Sequence, residues 1–129
     1  MRGLRMLTAL VCVAACADSA WAHHSFASVF DKNQPLELTG TVTKVEWMNP
    51  HVWFYIDVQK KGGETENWGF EMGSPNGLVR RGWAHDALQV GAVVTVVGVR
   101  ARDGSHSGSV RTVTLSTGES LFGAQDESR

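Results

Sequence analysis

The chain has only two cysteines, Cys12 and Cys16, and both lie near its start. Everything after residue 16 is cysteine-free, which excludes a disulfide framework for the body of the protein. Long apolar runs are missing too: beyond Ala15 nothing approaches the roughly 20 apolar residues that span a bilayer as a helix. Basic clusters are scarce. Arg80-Arg81 and the scattered Arg100, Arg102 and Arg111 are too few for the electrostatic footprint of a nucleic-acid protein, so no nucleic-acid partner is expected. There is no H-E-x-x-H, no nucleophile elbow and no Cys/His pair, and the spacing of Glu46, Asp57, Glu66 and Glu71 assigns no acid and base. No catalytic residue is predicted. Internal repeats and low-complexity segments are absent as well.

What is present begins with a leader. Arg2 and Arg5 precede an apolar run from Met6 to Ala15 and a short polar segment, the pattern of a secretory signal over residues 1–22. Two processing sites compete. Ala20-Trp21-Ala22 is a small-x-small site that would release a periplasmic chain starting at His23. Val13-Ala14-Ala15-Cys16 resembles a bacterial lipobox that would lipidate Cys16 and leave His23 internal. Release at His23 is the favoured expectation, because Ala17 to Ala22 forms a normal polar region before cleavage. Losing Arg2, Arg5 and Asp18 takes the formal net charge from −1 to −2. The remaining residues 23–129 are a single-domain length that buries roughly 60–70% of its unfolded surface.

Residues 23–35 (HHSFASVFDKNQP) read as an N-terminal arm, with Phe26, Val29 and Phe30 at near-helical spacing before the breakers Asp31, Asn33 and Pro35. A first strand runs from Leu36 to Trp47. Its inward set Leu36, Leu38, Gly40 and Val42 slips by one residue to Val45 and Trp47, as a bulge near Thr43-Lys44 would produce. Val52 to Val58 alternates, with Val52, Phe54, Ile56 and Val58 inward and Trp53, Tyr55 and Asp57 opposite. Gly62-Gly63 turns the chain, and Trp68, Phe70 and Met72 share a face on the return strand.

Ser74-Pro75 opens a short helix and Gly82 closes it, with Leu78 and Val79 expected to plug one end of the fold beside Trp83. Leu88 to Arg100 turns at Gly91 into a β-branched strand. Asp103 to Gly108 is a loop, Val110 to Leu115 is a last strand, and residues 124–129 form a disordered tail. The domain over residues 36–123 thus has three strands, a short helix and two strands. That is the order of an OB-fold-like five-stranded Greek-key barrel, all-β apart from the helix between strands three and four. An open sandwich of the same strands is the rival.

The leader, HHSF, GTVTKVEWMNPHVWFYIDV, WGFEMGSPNGLVRRGW and LQVGAVVTVVGVRARDG together resemble the DUF6152 family of exported bacterial proteins, over the whole of residues 23–129. Each motif is weak alone; the combination is specific. The resemblance implies a small periplasmic domain with an OB-like fold. The family brings no established activity, so site residues are argued from this chain.

If His23 is the first residue, its α-amino group and ring nitrogen can chelate one metal together, and a third nitrogen completes a T-shaped copper site. Copper(II) suits such tetragonal nitrogen ligation. His51, in Trp47-Met48-Asn49-Pro50-His51-Val52-Trp53, is the first candidate for that nitrogen, with His24 and Met48 behind it. His106, in the loop joining the last two strands, would converge with His51 at the ligand border of an OB-fold. His85 reads as a solvated turn residue. The competing account leaves the histidines structural, His51 stacked on Trp47 or Trp53 and the tryptophans in the core. A second function class is binding of a small molecule or peptide on an aromatic face carrying Trp47, Trp53 and Tyr55. Against it, Trp53 and Tyr55 can lie under the arm, packed on Phe26 or Phe30. Arg80 and Arg81 can receive an anion or form a solvated pair.

Overall fold

A computed structural model describes residues 26–123. The leader, both processing sites, His23, His24 and residues 124–129 lie outside the described residues. A helical turn at 26–29 is followed by β1 (Phe30–Glu46), β2 (Trp53–Gln59), β3 (Thr65–Glu71), α1 (Pro75–Arg80), β4 (Val93–Ala101), β5 (Ser107–Leu115) and β6 (Ser120–Phe122). The sheet order is β3-β2-β1-β4-β5-β6, and β3 also pairs with β5. All pairs are antiparallel except β3 with β5, which is parallel. The protein is therefore mostly β, with the helix between β3 and β4 where the sequence puts it. No helix among the described residues is long and apolar enough to cross a membrane.

Among the described residues the strand count is six, not five. Gly118, at φ 89°, turns the chain after β5, with Leu115 N–H on Glu119 O at 2.8 Å. β6 then pairs back through Thr112↔Phe122 to Thr114↔Ser120. β1 also starts earlier than Leu36, since Phe30 and Asp31 already pair with Ala101 and Arg100. The breakers interrupt this strand without ending it. Asp31 accepts from Asn33 N–H (3.0 Å) and Gln34 Nε2 (3.1 Å), an Asx-type turn that folds the extra residues out before pairing resumes at Pro35↔Val99.

The long β1 serves two partners. Its first part pairs with β4, its last part with β2, and both ladders include Thr41. The β2 ladder shifts between Val42 and Lys44, leaving Thr43 as the extra residue. That bulge keeps Val42 buried and returns Val45 to the core side, as the slipped alternation requires. Gly40 permits the crossing: a Cβ there would lie 2.5 Å from Asp57 O.

The core gathers inward residues from every long strand, including Val42, Phe54, Ile56, Phe70, Val96 and Val113, each at most 1% exposed. α1 closes one end. Ser74 caps it by accepting from Gly77 N–H at 3.2 Å, and Pro75 takes the first turn. Leu78 is buried but Val79 is 55% exposed, so only one of the two expected plugs is in place. Consecutive residues point about 100° apart on a helix, and six residues present a single inward stripe. Trp83 fills the space beside Leu78 and donates from Nε1 to Phe122 O at 2.9 Å, tying β6 to the helix end.

Candidate functional site

The outer face of β1, β2 and β3 holds the aromatic pair that the alternation of β2 predicts. Residues directly opposite in a ladder share a face, so the register sets Glu46, Trp53 and Glu71 in one row. Lys44, Tyr55 and Gly69 form the next row, and Asp57 with Asn67 the one after. Ser107 and Ser109 of β5 extend the rows beyond Gly69 and Glu71. Trp53 and Tyr55 are half-buried. Their rings occupy the space above Gly69, where a Cβ would lie 3.0 Å from Tyr55 Cε1 and 3.8 Å from Trp53 Cζ3. Glycine at this position gives two aromatic rings room to approach the backbone.

Polar groups fix the edges of this platform. Tyr55 Oη donates to Glu46 Oε2 at 3.2 Å, and Lys44 Nζ sits 2.5 Å from Glu46 Oε1 and 5.5 Å from the Tyr55 ring centroid. The Lys44 hydrogen bond holds the Glu46 carboxyl below the usual carboxylate range and raises the Lys44 ammonium in return. Partial burial, then the Glu46 charge, pushes the Tyr55 phenol up. All three groups keep their ordinary neutral-pH charge states.

The described part of the arm does not cover the platform. Phe26 packs on Phe30 at 5.2 Å, Arg102 Nε donates to Ala27 O at 2.6 Å, and Phe30 pairs with Ala101. Phe30 and Glu46 are opposite ends of β1, and Trp53 is registered with Glu46. The expected packing of Phe26 or Phe30 on Trp53 and Tyr55 is therefore replaced by packing at the far end of the sheet.

His51 stands at the entrance to β2. Val52 N–H donates to Gly73 O (3.0 Å) and Met72 N–H to Val52 O (2.8 Å), prolonging the β2–β3 ladder and fixing the backbone beside it. Its ring does not stack on a tryptophan; Nδ1 meets Glu71 Oε1. An ionised carboxylate only accepts, so Nδ1 carries the proton and, in the neutral ring, Nε2 keeps a lone pair. The His51 side chain is 38% exposed, which leaves that nitrogen a route to solvent. Trp47 instead contacts His85, with ring centroids 4.9 Å apart, and His85 is an exposed turn residue as expected. Met48 is 57% exposed.

His106 is held elsewhere. Its ring stacks on Trp68 at 4.9 Å and 20°, its Nε2 is 3.6 Å from Glu66 Oε1, and Arg100 lies 5.3 Å from the Trp68 ring centroid. Glu66 also takes Lys60 at 2.5 Å and the Trp68 indole N–H at 3.3 Å. His106 is thus packed in place despite its Gly/Ser-rich loop. Its anchor Glu66 and the His51 anchor Glu71 are five residues apart on β3, on opposite faces and about 16 Å apart along the strand. His51 and His106 do not converge. Among the described residues no three His, Cys, Asp or Glu side chains group as a metal site. Arg80 ends α1 and Arg81 caps it, donating its backbone N–H to Leu78 O at 2.9 Å; both are exposed.

The partners Lys44, Glu46 and Glu71 are absent from the sequence-derived candidates. The hairpin register carries the missing signal. A turn over Gly62-Gly63 that pairs Gln59 with Thr65 also places Glu71 opposite Trp53.

A family model described as a family of unknown function, DUF6152, matches residues 9–111. No curated protein matches the chain.

Proposed function

The chain belongs to the DUF6152 family, whose description names no activity, and from that premise we propose an exported, OB-like small binding domain. Its ligand surface is the outer face of β1, β2 and β3. The barrel reading is supported by the pairing of β3 with β5, since the ladders then run β1–β2–β3–β5–β4 and back to β1. In an OB-fold the outward side of strands two and three is the usual binding face, and here it carries Trp53 and Tyr55. Export rests on the leader pattern, with release at His23 preferred over lipidation at Cys16.

The observation that carries the reading is the pair of rings filling the space above Gly69. Such a surface stacks a planar group, worth about 0.5–1.5 kcal/mol per aromatic contact beyond the area buried. The row of Glu46 and Glu71 beside the rings supplies directional polar contacts. A panel of planar metabolites titrated against intrinsic fluorescence tests this, comparing the wild type with Trp53→Ala. Saturable quenching lost in the variant is the expected outcome. Equal binding by Trp53→Ala, or no response to any member of the panel, refutes the platform.

A second reading, copper binding, is favoured by one feature. A ring whose Nδ1–H is held by a carboxylate presents Nε2 in the orientation metal-binding histidines use. His51 Nε2 would then meet the amine and ring of a mature N-terminal His23. Copper(II) titration followed by EPR should show nitrogen hyperfine structure that weakens in His51→Ala, whereas an N-terminus lipidated at Cys16 sinks the site.

A further inference from the structure

The charge pattern around the platform narrows the ligand class, and the inference rests on the aromatic-platform reading. We propose that this face binds a small free organic cation with a planar aromatic group, an arylalkylammonium. Three carboxylates, Glu46, Asp57 and Glu71, share the face with the single ammonium of Lys44. The Glu46 and Glu71 side chains are 27% and 20% exposed and flank Trp53 in its row of the ladder. The protein already displays the contact in question. The Lys44 ammonium lies 5.5 Å from the Tyr55 centroid while touching Glu46, so a ring face and a carboxylate together receive a cation here.

Lys44 is a weakly held occupant. Its side chain is 61% exposed, and exposed pairs of this kind contribute little net stability. An incoming ammonium attached to a flat ring gains stacking that Lys44 cannot supply, and it displaces Nζ from Glu46 and Tyr55. The lysine therefore competes with the ligand. If the face instead received an anion, Lys44 would be its main attractive group and its removal would weaken binding.

That difference in sign is the test. Isothermal calorimetry at low salt compares three near-isosteric probes: 2-phenylethylammonium, 2-phenylethanol and 3-phenylpropionate. The ammonium should bind at least about tenfold tighter than the alcohol, and the propionate weakest of all. Lys44→Ala should tighten the ammonium about threefold or more, and Glu46→Gln should weaken it about tenfold. Thermal melting of each variant establishes that it remains folded. Equal binding of the alcohol or propionate, weaker ammonium binding in Lys44→Ala, or no ammonium binding overturns the cation assignment. The platform itself stands or falls separately, on the Trp53→Ala comparison with the planar panel.

Discussion

Replacing Trp83 by phenylalanine tests how β6 and α1 are joined. Trp83 is 2% exposed, and its Nε1 donates to the backbone carbonyl of Phe122 at 2.9 Å. Phenylalanine keeps an aromatic ring in the site but removes the donor and part of the volume. The lost hydrogen bond costs about 1–1.5 kcal/mol. The void left by the smaller ring adds about 1 kcal/mol. The total of about 2–2.5 kcal/mol lowers the melting temperature by roughly 8–20 °C for a domain of this size. Phe122→Ala is the matched control, because the acceptor is the carbonyl and the Phe122 side chain is 65% exposed. That variant should stay within about 0.5 kcal/mol of the wild type. Urea unfolding of both, followed by far-UV circular dichroism, gives the comparison. A Trp83→Phe cost under about 0.5 kcal/mol, or an equal cost in Phe122→Ala, refutes the assignment of this bond as the tie.

Ser74→Ala removes the side-chain acceptor for Gly77 N–H and should cost about 1 kcal/mol by urea unfolding, with Ser74→Asp recovering most of it. No loss in the alanine variant would mean that the helix end is satisfied otherwise. Glu66 carries the pH prediction. Its carboxyl is held below the usual carboxylate range chiefly by the Lys60 hydrogen bond, with further help from the Trp68 indole and the His106 charge. A depressed carboxylate stabilises the fold above its unfolded value and loses that contribution as pH falls through the folded one. Lys60→Gln should therefore raise the Glu66 midpoint in a carboxyl-carbon NMR titration and flatten the acid limb of stability. An unchanged midpoint would remove Lys60 as the cause.

The local grammar of the chain was readable wherever one residue type leaves one solution. The alternation of Val52 to Val58, the slip between Val42 and Val45, and the Ser74-Pro75 cap all appear in place, because periodicity and capping act over a few residues. What escaped depends on partners distant in sequence. Phe30 joins β1 only because Ala101 pairs with it, and the Asp31 turn hides that continuity behind apparent breakers. Val79 is apolar yet exposed, which six residues of helix cannot reveal without knowing which side meets the core. His51 and His106 looked convergent on loop positions alone. Their anchors, Glu71 and Glu66, differ in parity along β3 and so face opposite ways.

The short parallel contact between β3 and β5 has a kinetic consequence. Only Gly69, Phe70 and Glu71 meet Ser107, Gly108 and Ser109, whereas the other ladders of β1 to β5 are longer. With so few pairs to hold it, this seam is the first part of the sheet to part. Its opening would uncover Trp68 and Phe70 while the β1–β2–β3 meander stays paired. A ligand bridging Glu71 and Ser109 would act as a latch across that seam. Occupancy of an outer surface would thereby set how often the interior is exposed.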